Sequence, residues 1–591
     1  MTVIVNLTVT VSISMGTAAA GPVLGHAGAA AAARAHAAAL GRPFRATATR
    51  QELLGAVAAA AGGPAFVLAP EDGLDLRLTG ELAETARAHA VRLGVLPLPP
   101  DPAAAARLLD RSARAVGAGP RHPHRTLHYC DFRSEAVPGP RHSYGSADSD
   151  AFVDRLAEGA EAVVLHSHGN GADFRVGRHV LCLQADPLRP APGRPGEQYL
   201  PCQAGGPCRL EHKTGFRAFH GAGAVRTRLL VLLSCSAWQP AGGLLGARFQ
   251  LARRLLDGPH VAGFVASTRI NHGTPQLGAA VERLLDTGAP LGEVALRINL
   301  LAGEGLASYV CVGDPELRIP AEAGPGTPSA PAAGTRAPAR SAARPAAAVA
   351  AVTAPVPLPD EPRAARRLVQ SRIVRRAVAA GDRPEADLAL ADRLAAAGRP
   401  DPAPDGELDR TLCEFLAATL AHRGPDVHDY LSGSVGYSPE EPTELRHHCG
   451  HRLLRLRVVP RDLPAGALAL YVCERCGSAH TLPPGGEPPR VVLGPETLTL
   501  HLARPLATGG RCTAARQPIG GRPEAALPVT ELAPGTREVT VPLPRDGAPG
   551  LRRIAVALVA DGEFSVHQLP LTEARSTRTA PRKAGRPCWT P

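Results

Sequence analysis

Two places in this 591-residue chain combine reactive side chains with a spacing that chemistry could use. The first is a pair of short runs, His166-Ser167-His168-Gly169 and Ser234-Cys235-Ser236, each directly behind a block of apolar residues. A free thiol is mostly protonated at neutral pH, and an imidazole held beside it shifts it toward the nucleophilic thiolate. The same imidazole can then return a proton to a leaving amine. A glycine beside the histidine lets a substrate approach the backbone closely, and backbone N–H groups can hold an oxyanion. His168 and Cys235 are therefore the candidate catalytic pair. His166 is the competing base, and the glycine after His168 favours the latter. Taken singly, a Cys behind a strand is usually a small core residue and a His-Gly is usually a turn.

The elements that would position this pair are legible in the apolar pattern. Ala162-Val163-Val164-Leu165 reads as a buried strand, and Leu229-Leu230-Val231-Leu232-Leu233 as a stronger one. Helix-spaced apolar residues follow over 244–256, then a strand over 261–266, helices over 276–288 and 292–303, and a closing strand over 308–312. Such alternation predicts an α/β domain over 125–320, with a mainly parallel sheet covered on both faces. In an open parallel sheet the loops beyond the carboxyl ends of the strands share one crevice, so His168 and Cys235 can meet there.

These pieces resemble clan CD (caspase-like) cysteine peptidases, most closely the bacterial CHAT-domain and gingipain-like proteins. The likeness rests on an apolar strand plus Ser167-His168-Gly169, an apolar strand plus Ser234-Cys235-Ser236, and the closing Gly313-Asp314-Pro315. It covers about a third of the chain. The resemblance implies a caspase-like core domain, His168 as base, Cys235 as nucleophile, and the main-chain N–H groups of Gly169 and Cys235 as the oxyanion hole. It implies a cysteine endopeptidase working through an acyl-enzyme; the alternative is a protease-inactive scaffold of the same fold. The chain departs from the caspase signature, having Leu-Ser-Cys-Ser-Ala at 233–237, and carries a Pro-, Gly- and Cys-rich insertion over about 184–215.

The second chemical cluster is His447-His448-Cys449-Gly450-His451 with Cys473-Glu474-Arg475-Cys476-Gly477. Two ligand-bearing turns joined by a strand pair make a zinc ribbon, and tetrahedral zinc accepts mixed Cys/His sets. Cys449, His451, Cys473 and Cys476 are the expected ligands, and His448 could replace either of the first two. The zinc would be structural and would supply folding energy to a small module. A redox pair or chance clustering is the competing reading. Cys202 and Cys208, with Cys182 and His212, offer a weaker second cluster, read as an inert loop with reduced thiols.

Composition bounds the rest. A chain this long exceeds one hydrophobic core. Residues 1–98 read as an N-terminal α/β unit, including a strand-like alternation over 3–13 (an artefact if translation begins at Met15), and 99–125 as a connection. Residues 321–362, rich in Ala and Pro, read as a disordered linker. A helical segment is expected over 363–425 with a solvated Arg-rich face, the ribbon over 444–482, and a β-sandwich over 489–572.

The net charge of +11 invites a nucleic-acid partner, but only Lys213 and Lys583 are lysines among 65 basic residues, and aromatics are 3%. That pattern resembles a coding bias on a solvated surface more than a binding face, so nucleic acid is disfavoured. No Lys or Arg precedes Arg34, where a signal peptide would carry its basic start, and no apolar run approaches membrane length, which favours the cytoplasm. The implied partners are a protein substrate and proteins recruited by the C-terminal modules.

Overall fold

The computed structural model describes residues 21–116, 118–131, 142–191, 199–204, 218–241, 243–269, 275–302, 307–319, 362–379, 383–397, 406–423, 435–437, 441–460, 464–494, 496–518, 526–543, 552–560 and 562–571. The strand expected over 3–13, the start at Met15, and all but the last residue of the expected linker lie outside these. Contacts divide the chain into two compact units, one from residues 1–190 and 215–320, the other from 191–214 and 321–591.

The first unit is mixed α/β. Its strands are β1 (Val23–His26), β2 (Phe44–Thr47), β3 (Pro64–Pro70), β4 (Arg92–Leu98), β5 (His124–Cys130), β6 (His142–Gly145), β7 (Ala160–His166), β8 (Asp173–Val176), β9 (His179–Cys182), β10 (Ala218–His220), β11 (Thr227–Leu233), β12 (Gly263–Ser267) and β13 (Tyr309–Val312). Its helices are α1 (Ala30–Leu40), α2 (Arg50–Ala58), α3 (Leu76–Ala88), α4 (Pro102–Ala115), α5 (Ser149–Glu158), α6 (Leu251–Asp257), α7 (Pro275–Asp286) and α8 (Leu291–Ala302).

Helix starts follow local chemistry. Thr49 and Glu52 form a reciprocal capping box on α2, and the Asp75 carboxylate accepts from the Leu78 N–H at 2.6 Å on α3. Asp101 caps α4 ahead of Pro102 at its first turn, so the stretch expected to be a connection is mostly helix.

Ten strands form one sheet in the order β2-β1-β3-β4-β13-β12-β11-β7-β5-β6. Every neighbouring pair is parallel except β12–β13. The central strands β7 and β11 are buried along their whole length, as sheets covered on both faces require. The expected boundary between an N-terminal unit ending at 98 and a domain starting at 125 is therefore corrected: both halves share one sheet, joined where β13 lies beside β4.

Several contacts make that joint. A Cβ on Gly94 would fall 2.4 Å from the Gly313 carbonyl oxygen, so only glycine permits the approach. Gly313 itself has φ +120, and its N–H donates to the Val95 carbonyl at 2.8 Å. The fully buried Asp314 carboxylate is paired with Arg42 at 2.9 Å. The helix expected over 244–256 is also shorter than the apolar spacing implies. Gln250 takes extended backbone, and its amide binds the Gln239 N–H at 2.8 Å and the Leu245 carbonyl at 3.1 Å, so regular helix begins at Leu251.

The second unit holds helices α9 (Pro362–Ala379), α10 (Leu388–Ala397) and α11 (Gly406–Arg423), then β14 (Val435–Tyr437), β15 (Glu441–Arg446), β16 (Arg452–Pro460), β17 (Leu468–Cys473), β18 (Gly477–Leu482), β19 (Arg490–Leu493), β20 (Thr497–His501), β21 (Gly510–Pro518), β22 (Thr530–Leu532), β23 (Glu538–Pro542), β24 (Arg552–Ala560) and β25 (Glu563–Leu571). The basic face of α9 is not wholly solvated. Arg367 is buried and donates to Asp409 at 2.6 Å, and Arg366 pairs with Glu563.

A nine-stranded sheet runs β14-β16-β17-β18-β25-β24-β21-β22, with β15 beside β16. A three-stranded sheet, β19-β20-β23, packs on it through Leu498, Leu500, Val539 and Val541 against Ala514, Ile554 and Val556. The expected ribbon and sandwich thus share a layer rather than standing as separate modules, because β18 pairs with β25 through His480↔His567 and Thr481↔Val566.

Candidate functional site

The strands β7 and β11 are direct parallel neighbours, with Leu233 opposite His166 at their carboxyl ends. His168 and Cys235 each follow by two residues, so they leave the sheet at matched positions of the same parity. The serines between are bonded to each other: Ser234 Oγ donates to the Ser167 carbonyl at 2.7 Å, and the two hydroxyl oxygens are 3.4 Å apart. Both serines are buried, whereas His168 is exposed and Cys235 half-buried. The backbone thus carries His168 and Cys235 out of the sheet at corresponding positions beyond two neighbouring strands.

Local backbone holds each one. After His168 the chain turns into the β8–β9 hairpin: Asn170 Oδ1 accepts from Ala172 N–H at 2.8 Å, the Arg175 N–H donates to the His168 carbonyl at 2.8 Å, and Asn170 N–H donates to Asp173 O at 2.9 Å. These last two bonds flank an isolated bridge between Gly169 and Phe174. In such a wide pair the central residues point their own N–H and C=O groups away from each other, so the Gly169 N–H faces away from the hairpin. A Cβ on Gly169 would meet Phe174 Cδ1 at 2.5 Å and Asp173 O at 2.9 Å, so glycine is required. Behind Cys235, Ser236 has φ +44, a strained value for a residue with a Cβ. Its N–H donates to the Arg269 carbonyl at 2.8 Å, and the Trp238 N–H to Ser267 O at 3.1 Å, tying the turn to the end of β12.

His166, the competing base, is fully buried, with its Nδ1 3.7 Å from Cys130 Sγ inside the sheet–α7 layer. The paired serines and the Arg269 carbonyl escaped the sequence reading. The repeated order of apolar strand, Ser, then reactive residue was the available signal. Of the weaker cysteine cluster, Cys182 and Cys202 are buried, and Cys208 and His212 lie outside the described residues.

In the second unit, His447, Cys449, Cys473 and Cys476 each offer a ligand atom, all within 4.8 Å of one another, and the group could hold a metal ion. Cys449, Cys473 and Cys476 are three of the four expected ligands, and His447 stands in this group where His451 was expected. Gly450, at φ +83, lets the chain reverse, with the His447 N–H donating to His451 O at 2.9 Å and the Gly450 N–H to His447 O at 2.8 Å. This turn folds the buried His447 beneath Cys449, with Nδ1 3.5 Å from its sulfur. His451 stays half-buried beside Cys449, at 3.6 Å from Sγ. His448 Nδ1 lies 3.1 Å from His447 Nε2, a second-layer partner rather than a ligand.

The donor set suits a soft tetrahedral cation. Cys449 Sγ is 3.5 Å from both Cys473 Sγ and Cys476 Sγ, close to the roughly 3.8 Å edge of a tetrahedron with bonds of about 2.3 Å. Without a cation, hydrogen bonds from Cys473 and Cys476 hold the Cys449 pKa far down, while burial raises Cys473 and the bond to Cys449 pushes Cys476 up to about 12. Like charges this close resist ionising together, and a divalent cation removes that conflict.

Comparison with protein-family models, with curated proteins and with solved structures gave no match to this chain. Among the described residues no helix is long and apolar enough to cross a membrane.

Proposed function

We propose that the first unit is a caspase-like, CHAT-like cysteine endopeptidase with His168 and Cys235 as its dyad. The observation that supports this reading is the Ser234–Ser167 bond at 2.7 Å, which ties together the two segments that lead from neighbouring strands to His168 and Cys235. His168 takes the thiol proton, and the Cys235 sulfur attacks the scissile carbonyl. The outward-facing Gly169 N–H, with that of Cys235, holds the developing oxyanion. His168 then protonates the leaving amine, and water activated by the same imidazole hydrolyses the thioester. In the second unit, the Cys₃His cluster holds a structural zinc ion: four protein donors close the coordination shell and leave no position for substrate.

The test is a thiol-reactive peptide probe applied to the full chain, with substrate profiling of wild type against Cys235→Ala in lysate. Labelling confined to Cys235, lost in His168→Ala while the fold persists, is expected. Labelling of another cysteine with Cys235 untouched points to a binding scaffold of the same fold instead.

A further inference from the structure

The sulfurs around Cys449 are arranged for more than holding a cation. Cys473 and Cys476 are buried, whereas Cys449 is partly open to solvent, and its Sγ lies 3.5 Å from each of theirs. Reaction of a cysteine with peroxide depends on ionisation and on access. Coordination ionises all three sulfurs, so access decides among them and selects Cys449.

We propose that Cys449 is an oxidation site through which a hydroperoxide releases the metal of this cluster; the inference rests on the cluster holding zinc, as above. The Cys449 thiolate attacks the terminal peroxide oxygen: an S–O bond forms, the O–O bond breaks, and the remaining oxygen leaves as an alcohol (or water) with a proton from solvent. The thiolate of Cys473 or Cys476 then attacks the Cys449 sulfur. An S–S bond forms, the S–O bond breaks, and the departing hydroxide leaves as water after protonation by solvent. Two thiolates have lost two electrons and one hydroperoxide has gained them. The cation keeps one thiolate and one imidazole, too few donors to hold it, and departs.

The geometry makes the second step short. The sulfurs must close from 3.5 Å to about 2.05 Å, a movement that side-chain rotation can supply. The product would still tie the turn between β15 and β16 to the turn between β17 and β18, so the layer keeps its cross-link after losing its ion. The Cys473-x-x-Cys476 pair is the rival disulfide, and it would leave the two turns untied.

The experiment uses the full chain carrying Cys235→Ala, since Cys235 is the other described cysteine that is not buried. Zinc content is measured on the reduced protein, hydrogen peroxide is added, released zinc is followed with a chromophoric chelator, and disulfides are mapped by peptide mass spectrometry. One zinc released per disulfide containing Cys449, reversed by reductant plus zinc, is expected. A Cys473–Cys476 disulfide with Cys449 unmodified, or zinc retained after Cys449 is oxidised, overturns the oxidation route and leaves the metal reading standing. Reduced protein that binds no zinc overturns both.

Discussion

Replacing Arg42 with alanine probes the joint between the two halves of the large sheet. Arg42 and Asp314 have side-chain exposures of 6% and 0%, meet at 2.9 Å, and share two further contacts at 3.1 Å. At an effective dielectric near 20 the attraction is about 6 kcal/mol, largely offset by the desolvation of both ions. Removing only the arginine leaves that desolvation uncompensated. Asp314 has one escape, which is to take up a proton, and burial already raises its pKa from 3.8.

Holding such a carboxyl protonated at pH 7 costs about 4 kcal/mol, at about 1.36 kcal/mol per unit, which caps the loss. At pH 5 the cap falls to about 2 kcal/mol. Arg42→Ala should therefore lose about 3–4 kcal/mol at pH 7 and less than about 2 kcal/mol at pH 5. Trp238 is buried in this unit, so urea unfolding followed by its fluorescence, in a Trp589→Phe background, reads the change. In an Asp314→Asn background the pH dependence should vanish. A loss below about 1 kcal/mol at pH 7, or an equal loss at both pH values, would refute the reasoning.

Ser234→Ala leaves the Ser167 carbonyl short of a donor; it should cost about 1–3 kcal/mol and slow probe labelling of Cys235 more than tenfold, and unchanged labelling counts against the paired-serine account. His447→Ala should abolish metal binding and the thiolate-to-Co(II) absorption bands, while His451→Ala should keep both; metal analysis of the purified variants decides between the two histidines. Burial lowers the His567 pKa from 6.5 to about 3, so the stability associated with its neutral form is complete above pH 6.5 and is lost as pH falls toward 3, the loss reaching about 2 kcal/mol by pH 5. His567→Gln should flatten that part of the acid dependence in thermal melts between pH 7.5 and 5.

The strands and helices around the candidate dyad were legible because a buried parallel strand is a continuous apolar run that anyone can find. The pairing of β7 with β11 was also accessible, since the two reactive residues follow their strands at the same distance. Partnership between distant strands was not. Val95 and Val312 look like any core strand residues, and their adjacency depends on Gly94, Gly313 and a buried ion pair whose members are far apart in sequence. The merging of ribbon and sandwich hung on His480 and His567, histidines with no apolar signature. At the metal cluster the residue types were readable but their grouping was not: His447 and His451 flank one cysteine, and the left-handed Gly450 turn between them is what brings His447 in with the three sulfurs.

The placement of β13 carries a consequence for how the chain is made. It is the last strand of its unit to leave the ribosome, yet it sits in the middle of the sheet, pairing Cys311 with Gly94 on one side and with Val265 on the other. Until it is synthesised, β4 and β12 each present an open, apolar border. The nascent protein must therefore carry the open β4 border for roughly two hundred residues of translation and the β12 border for roughly forty, a natural point for chaperone engagement and for misassembly when the supply of folding helpers is short.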